Sequence, residues 1–379
     1  MTAKTQASIL HIMPSYQIGG INRYVIDLCS AMKELGTDRQ GIFVTNSSIN
    51  NLAEQSGWKD AVHSVGVRVY EGHVMGMKPD ISALRNFLCL EKEYDIIHWH
   101  VFVPLLFISA FFDRKKHVFT HHSVLGIGRV SKRTDGIKWA LFRFIVNHRF
   151  SAQIFNSEFT RNFWKAKKLR TPLESVIYNG IRFSEKSKSS HPAKFMESQG
   201  KSFIVGTACA FIALKRLDHL IHAFGKFSSR HEDAHLLLVG DGAERANLET
   251  LAAKLGLENR VHFVGFQKDA EPWMQAMDVY VTASTTETFG LAAVEALHQG
   301  LPVLCLQDGG GICEVIGKGS KDNVASFDQL VERLDTYYIR KKNAGTCRND
   351  AFAEQASRYT MEATARRQIK LYNELMKDR

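Results

Sequence analysis

The sequence predicts an α/β protein of two domains, each a parallel sheet with helices on both faces. Three observations lead there. Short apolar runs bounded by turn residues alternate with segments of helical periodicity, and the alternation runs through twice. Between Arg182 and Lys201 the chain turns to Ser, Lys, His and Pro without periodicity, which reads as a linker. At 379 residues with 45% hydrophobic composition, the chain is too long for one ordinary core and suits two.

The first series opens with Ser8-Ile-Leu-His-Ile-Met as a strand, turns at Gly19-Gly20 and enters a helix from Asn22 to Leu35. Its later strands are Gly41-Ile-Phe-Val, Tyr94-Asp-Ile-Ile-His, His117-Val-Phe-Thr, Ala152-Gln-Ile-Phe and Ser175-Val-Ile-Tyr. The longest apolar stretch, Val101 to Phe112, contains Pro104 and is too short to cross a bilayer, so a core helix is expected. The second series opens at Phe203-Ile-Val-Gly and runs to about Leu334. Within it Val279-Tyr-Val-Thr-Ala and Leu301-Pro-Val-Leu-Cys-Leu are continuous apolar runs, the pattern of strands buried on both faces. Thr360 to Met376 closes the chain with apolar residues at helical spacing. No signal peptide is expected, since Met1-Thr-Ala-Lys-Thr-Gln leads straight into the first strand. The cysteines at 29, 89, 209, 305, 313 and 347 have neither metal spacing nor a disulfide framework, so buried thiols in a reducing cytoplasm are expected.

Charge is divided unevenly. Residues 1–190 carry 26 Lys+Arg against 15 Asp+Glu, a net of +11, leaving 23 against 24 for the rest. From Phe111 to Arg170 fourteen basic residues face only Asp113, Asp135 and Glu158, and interleave with Trp139, Phe142, Phe144, Phe150 and Trp164. Such a face suits anionic lipid headgroups or a pyrophosphate-bearing acceptor, each charge near the surface contributing roughly 1 kcal/mol. The alternative is a solvated face over core aromatics. Nucleic acid is not expected as a partner, because no helix-turn-helix, zinc spacing or single-strand-binding aromatic motif accompanies the charge.

The most informative local pattern is Thr286-Glu-Thr-Phe-Gly-Leu-Ala-Ala-Val-Glu-Ala-Leu, in which Glu287 and Glu295 bracket the start of a helix. Thr288, Phe289 and Gly290 form a tight turn, and the N–H groups that follow, from Leu291, lie unpaired at the positive end of the helix dipole, a seat for phosphate. Glu287 sits in the loop facing that seat. Glu295, about two turns into the helix, lies along the same side and offers a carboxylate to hydroxyls. In isolation the pair would be a helix-end charge and a solvated face residue. Here Ala292, Ala293, Val294, Ala296 and Leu297 make the helix apolar on most of its circumference, and the preceding strand ends where open α/β sheets bind ligands.

Gly240-Asp-Gly, Val261-His-Phe-Val-Gly-Phe, Met277-Asp-Val-Tyr-Val, Glu287-x7-Glu295, Gly300-Leu-Pro-Val and Gly309-Gly-Gly-x-x-Glu314 follow one another in a distinctive order. In this segment the chain resembles the nucleotide-sugar half of the retaining GT-B glycosyltransferases of group 1, the glycosyltransferase family 4-like enzymes, and more faintly it does so over nearly its whole length. The resemblance implies two Rossmann-like domains with a cleft between them. Residues 1–185 would bind the acceptor, 186–201 link, 202–355 bind the nucleotide sugar, and 356–379 form a C-terminal helix crossing back onto the first domain.

The same resemblance implies the site. Gly19 and Gly20 would lie beside the donor phosphates and the acceptor, although Asn22 there is alternatively just a helix cap. His122, in Thr120-His-His-Ser at a strand end, matches the His set against the donor sugar; as a residue it is as readily structural as catalytic. His100, which ends the preceding strand, is the second choice, and Asn179-Gly180 matches the Asn-Gly before the linker. Lys215 matches the cation that neutralises the leaving diphosphate. The arginine five residues before it is here Ala210, which removes a bidentate phosphate clamp, and the adjacent Arg216 is the cation nearest to replacing it. A second departure is a shortened loop after Gly317. Donor contacts are thus expected from Gly19, Gly20, Lys215, Arg216, Glu287, Thr288, Phe289, Gly290, Leu291 and Glu295. Sugar or acceptor contacts are expected from His100, His122 and Asn179, and catalysis from Glu287, Lys215 and His122.

The implied activity is retaining transfer of a hexose-type sugar from a nucleoside-diphosphate sugar to a lipid-linked or oligosaccharide acceptor, in lipopolysaccharide, capsule or exopolysaccharide biosynthesis. The place would be the cytoplasm, at the inner-membrane face. No Asp-x-Asp pattern occurs, so no metal or cofactor is expected. Ala210 keeps open a catalytically impaired binding subunit of a polysaccharide complex, and a sugar-nucleotide epimerase on the same frame is a further alternative.

Overall fold

The computed structural model describes residues 7–16, 19–46, 57–74, 80–111, 117–124, 133–183 and 202–377. The expected linker, Arg114-Lys-Lys and Lys132 lie outside the described residues. The chain divides into two compact units, Met1–Arg182 with Tyr359–Arg379, and Phe183–Arg358.

The first unit is a seven-stranded sheet of β1 (Ile9–Ser15), β2 (Gln40–Asn46), β3 (Arg68–Glu71), β4 (Ile96–Trp99), β5 (His117–His121), β6 (Ala152–Phe155) and β7 (Leu173–Val176). The order is 3-2-1-4-5-6-7 and every pairing is parallel. Helices on both faces bury β4, β5 and β6 along their whole length, so that even their polar residues, His98, His117, Thr120, His121 and Gln153, lie inside. The order reverses between β1 and β4, so their carboxyl ends form the crevice in which such sheets hold ligands.

Two sequence expectations need correction here. The stretch from Val101 supplies core residues, with Leu106, Phe107 and Ala110 all buried, but it forms a 3₁₀ segment, Leu106–Phe111, in place of an α-helix. Pro104 has no N–H to give, and the apolar residues beyond it are too few to nucleate longer helix. The helix after β1 begins at Gly20, not Asn22, and runs Gly20–Glu34 with Gly19 as its cap. Asn22 is therefore inside the first turn and is not the capping residue.

The terminal helix, Met361–Lys377, lies along the helix Gly20–Glu34 and sends Met361, Ala365, Ile369, Leu371 and Tyr372 into the core beneath β1 and β2. Its entry explains a glycine. Ile181 N–H donates to Tyr359 O (2.9 Å) and Met361 N–H to Ile181 O (3.0 Å), so two backbones touch at Gly180. A Cβ there would stand 2.4 Å from Met361 Cα and 2.6 Å from Thr360 O.

The second unit is a six-stranded parallel sheet of β8 (Phe203–Ala208), β9 (Ala234–Val239), β10 (Val261–Gly265), β11 (Val279–Thr282), β12 (Val303–Leu306) and β13 (Asn323–Val324), ordered 10-9-8-11-12-13. One face carries the helices Leu217–Ser228 and Phe327–Ala344, whose Leu220, Phe224, Leu330 and Leu334 meet Val205, Leu236 and Leu304 of the strands. The switch in order falls between β8 and β11. Among the described residues no helix is long and apolar enough to cross a membrane.

Gly180→Ala is expected to lower the unfolding free energy by about 1–3 kcal/mol, the ordinary cost of overpacking. The check is a urea titration, in which the midpoint falls at constant slope; an unchanged midpoint would mean the backbones can part without cost.

Candidate active site

In the second unit the sequence-predicted residues collect at the carboxyl ends of β8 and β11. From β8 the chain passes exposed Ala210 and makes the 3₁₀ turn Ala213–Lys215. From β11 it runs through Ala283 to Glu287. There Glu287 N–H donates to Gly309 O (2.9 Å) and Gly311 N–H donates to Glu287 O (2.7 Å), a parallel bridge that joins the Glu287 loop to the triple-glycine loop. Thr285 N–H reaches Leu214 O (3.4 Å), tying in the lysine turn. Lys215 Nζ then donates to Glu287 Oε2. Both side chains are roughly a fifth exposed, at 22% and 23%, so solvent screens the pair and it contributes position more than stability.

Gly290 has φ of +91°, and a Cβ on it would come within 2.5 Å of Ile312 Cδ1. Only glycine makes this turn without strain. The helix Leu291–His298 starts at the next residue, with Phe289 buried behind it. Thr288 lies in the same turn. Because the helix starts at Leu291, Glu295 is one turn in, not two, and it is buried.

Arg216 has a left-handed backbone, φ +46°, unusual for a residue with a side chain. Its Nε donates to Ala283 O (2.6 Å), and its two terminal nitrogens grip Asp308 at 3.0 and 2.8 Å. The Arg216 guanidinium, the sequence's candidate to replace an arginine at Ala210, is thus engaged in tying the β8, β11 and β12 loops together. A surface cavity of about 670 Å³ elsewhere in this unit, beside His298 and Asn349, shares no residue with the cluster. Its Arg348 is engaged with the backbone carbonyls of Met274, Gln275, Met277 and Gln299.

In the first unit Gly19 is extended, and among the described residues no atom lies within 4 Å of where its Cβ would be, just before the helix that begins at Gly20. Asn179 is buried, and its Oδ1 has no hydrogen-bond partner among the described residues. Within β1 and β4 and just beyond β4 and β5 the structure gathers four histidines, His11, His98, His100 and His122. His100 Nε2 lies 3.2 Å from His11 Nδ1, and His100 Nδ1 lies 3.0 Å from His122 Nε2. His98 stands between a 2.6 Å contact to Tyr372 OH and a 2.6 Å contact to Thr120 Oγ1. Tyr24 meets His122 edge-on at 4.9 Å. His121 turns to the other face, donating from Nε2 to Gln153 Oε1 (2.8 Å) and stacking on Phe155.

Sequence reasoning found His100 and His122 and missed His11 and His98. The signal was present: each is a polar ring inside an apolar strand, Leu10-His11-Ile12 and Ile97-His98-Trp99, and a buried polar group needs a partner. Burial penalises the imidazolium, pushing His11, His121 and His122 down to about 3 and His98 and His100 well below the usual histidine range. All are neutral near pH 7.

Residues 18–185 match the family described as Glycosyltransferase Family 4, and residues 193–351 the family described as Glycosyl transferases group 1. The chain is similar to the lipopolysaccharide core biosynthesis glycosyltransferase LpsE of Rhizobium meliloti, 38% identical over 100 residues, 26% of this chain and 28% of that protein. It is also similar to N-acetyl-alpha-D-glucosaminyl L-malate synthase of Bacillus anthracis, 32% identical over 152 residues, 38% of this chain and 39% of that protein. The match thus spans about a third of the length of these relatives. The structure of Anabaena Alr3699/HepE in complex with UDP-glucose has the same fold, with a TM-score of 0.77 over 97% of this chain and all of that one, at 23% identity. The two α/β units are those of the GT-B architecture.

The buried neutral histidines make stability depend on pH in a definite direction. Unfolded, each ring takes up a proton below about 6.5, whereas the folded rings refuse it until about 3, so the unfolded chain binds more protons across that window. Unfolding free energy should therefore fall on acidification from about 6.5, by up to about 1.4 kcal/mol per pH unit for each such ring. Urea titrations from pH 7 to 4 measure this, and His11→Leu should reduce the slope by about one proton; an unaltered slope would contradict the burial account.

Proposed function

We infer, from the premise that the chain belongs to the glycosyl transferases of group 1, that it moves a hexose-type sugar from a nucleoside-diphosphate donor to a glycan or lipid-linked glycan. The setting would be the biosynthesis of a cell-surface polysaccharide such as lipopolysaccharide. The observation that carries this reading is the joining of Lys215, Glu287 and the Gly290 turn at the β8/β11 switch point.

In this reading the diphosphate lies against the first N–H groups of the helix Leu291–His298, with Phe289, Gly290 and Leu291 shaping the approach and Thr288 beside it. The Lys215 ammonium neutralises the charge that grows on the diphosphate as the bond from the anomeric carbon breaks. Glu287, relieved of part of its ion pair, accepts a sugar hydroxyl, and Glu295 accepts from the ribose. The acceptor oxygen bonds the anomeric carbon on the face the diphosphate leaves, and its proton passes to the departing phosphate oxygen, which retains configuration. The positive charge comes from Lys215 and the helix, so no divalent cation is assigned. In the first unit Gly19 and Gly20 give a ligand close access to backbone, and His122, with its contact to His100, and Asn179 are assigned to sugar or acceptor hydroxyls. The complex of HepE with UDP-glucose makes uridine the first base to test.

Contact with an anionic membrane is assigned to the helix Arg133–Arg149, where Leu141 and Phe144 are exposed at 45% and 51% and the Arg149 guanidinium lies 4.9 Å from the ring of Phe111. A second reading, an impaired binding subunit, is favoured by one observation: Arg216 is engaged with Asp308 and Ala283, leaving Ala210 without a substitute.

Among UDP, GDP and ADP at about a hundred times the dissociation constant, the true nucleotide should stabilise the fold by about 2.7 kcal/mol, read as a rise in melting temperature. If none of the three moves the transition, the donor assignment fails. Lys215→Ala should cut kcat about 100-fold or more while the melting temperature stays near wild type, and Glu295→Gln should weaken nucleotide binding by calorimetry. A wild type inert toward all donors that gains transfer on Ala210→Arg would establish the binding-subunit reading instead.

A further inference from the structure

Three rings, His11 inside β1, His100 just beyond β4 and His122 just beyond β5, run in a hydrogen-bonded line with N···N separations of 3.2 and 3.0 Å. Each neutral imidazole has one N–H and one bare nitrogen, and each contact needs one of each. The two contacts cannot be set independently. If His100 gives from Nε2, its Nδ1 is bare, His122 must give from Nε2, and the proton of His11 sits on Nε2. If His100 gives from Nδ1, then His11 gives from Nδ1 and keeps Nε2 bare, while His122 accepts at Nε2 and carries its own proton on Nδ1.

The buried end makes the choice. His11 is wholly buried, and its Nε2 has no hydrogen-bond partner among the described residues. A buried N–H without an acceptor is rarer in folded proteins than an under-used acceptor, so Nε2 is the bare nitrogen and the second arrangement holds. His98 does not interfere. Tyr372 OH donates to Gln368 Oε1 (3.0 Å), so it accepts from His98 Nδ1, and His98 Nε2 accepts from Thr120 Oγ1. With both nitrogens engaged, His98 is not available to bind a metal with His11 and His100, although the three offer nitrogens within 4.8 Å of one another.

We propose that His11 and His100 are positioning residues that hold His122 as its Nδ1–H tautomer, making it a fixed hydrogen-bond donor toward a sugar or acceptor hydroxyl. The donor role rests on the transferase reading above; the tautomer itself does not. Free histidine favours the Nε2–H form, so the fold imposes the less common one on every ring of the line.

The test is a long-range ¹⁵N–¹H correlation spectrum of the full chain with ¹⁵N-labelled histidine rings at neutral pH, His122 being assigned by its loss in His122→Gln. Nδ1 of His122 should carry the proton, and the ring should not titrate between pH 5 and 8. A proton on Nε2, or titration near the ordinary histidine range, overturns the proposal whatever the transfer assay gives. In His100→Leu the His122 ring should revert to Nε2–H and kcat should fall about tenfold, whereas His100→Gln, with one donor and one acceptor, should restore both in part. Reversion without any loss of kcat overturns the positioning role. Zn²⁺ added alone should leave the spectrum unmoved; coordination shifts on His11, His98 and His100 would make the cluster a metal site and overturn the relay. If His100→Leu does not fold, the wild-type spectrum decides.

Discussion

Glu287 is held at both ends of its peptide unit. Its N–H and C=O are bound by the triple-glycine loop, and that fixes where its carboxylate meets Lys215. Three loops that leave three different strands become one rigid rim because of this parallel bridge and the Arg216 fork to Asp308 and Ala283. Positioning of this kind does not come from strong ion pairing, since Lys215 and Glu287 remain partly solvated. It comes from a backbone with little freedom, so that the side chains keep their distance when the ligand changes.

The first unit uses the opposite means. Its polar residues are sunk among Trp, Tyr and Phe rings, where desolvation removes their charge and leaves only direction. His98, Thr120, Tyr372, Gln368 and Tyr24 form a connected buried network, each group answering the next. Buried networks of this sort specify one arrangement when every member is satisfied. The two halves of one polypeptide thus differ in electrostatic character: a solvated rim of ions in the second unit, a dry line of neutral rings in the first.

Much of this was legible beforehand. The parallel sheets were announced by apolar runs such as Leu301 to Leu306, and the Gly290 turn by the residues that flank it. What escaped was tertiary in origin. The start of the Leu291 helix depends on the left-handed turn at Gly290, so the depth of Glu295 could not be counted from Glu287. The engagement of Arg216 depends on Asp308, ninety-two positions away. The 3₁₀ segment after Pro104 buries the same residues a helix would have buried, so periodicity alone could not choose between them. His11 and His98 interrupt their strands in sequence, and their partners come from elsewhere in the fold: His100 beyond β4 for His11, Thr120 of β5 and Tyr372 of the terminal helix for His98.

The terminal helix completes the sheet that begins the chain. Tyr372 reaches His98 across 274 positions, and Met361 lies against Gly180. A ribosome delivers residues in order, so the opening sheet waits, with its face beneath the Gly20–Glu34 helix uncovered, until the whole of Phe183–Arg358 has been made. The helix that seals this face is therefore translated only after the second unit, so the first sheet closes over a segment made much later than its own strands.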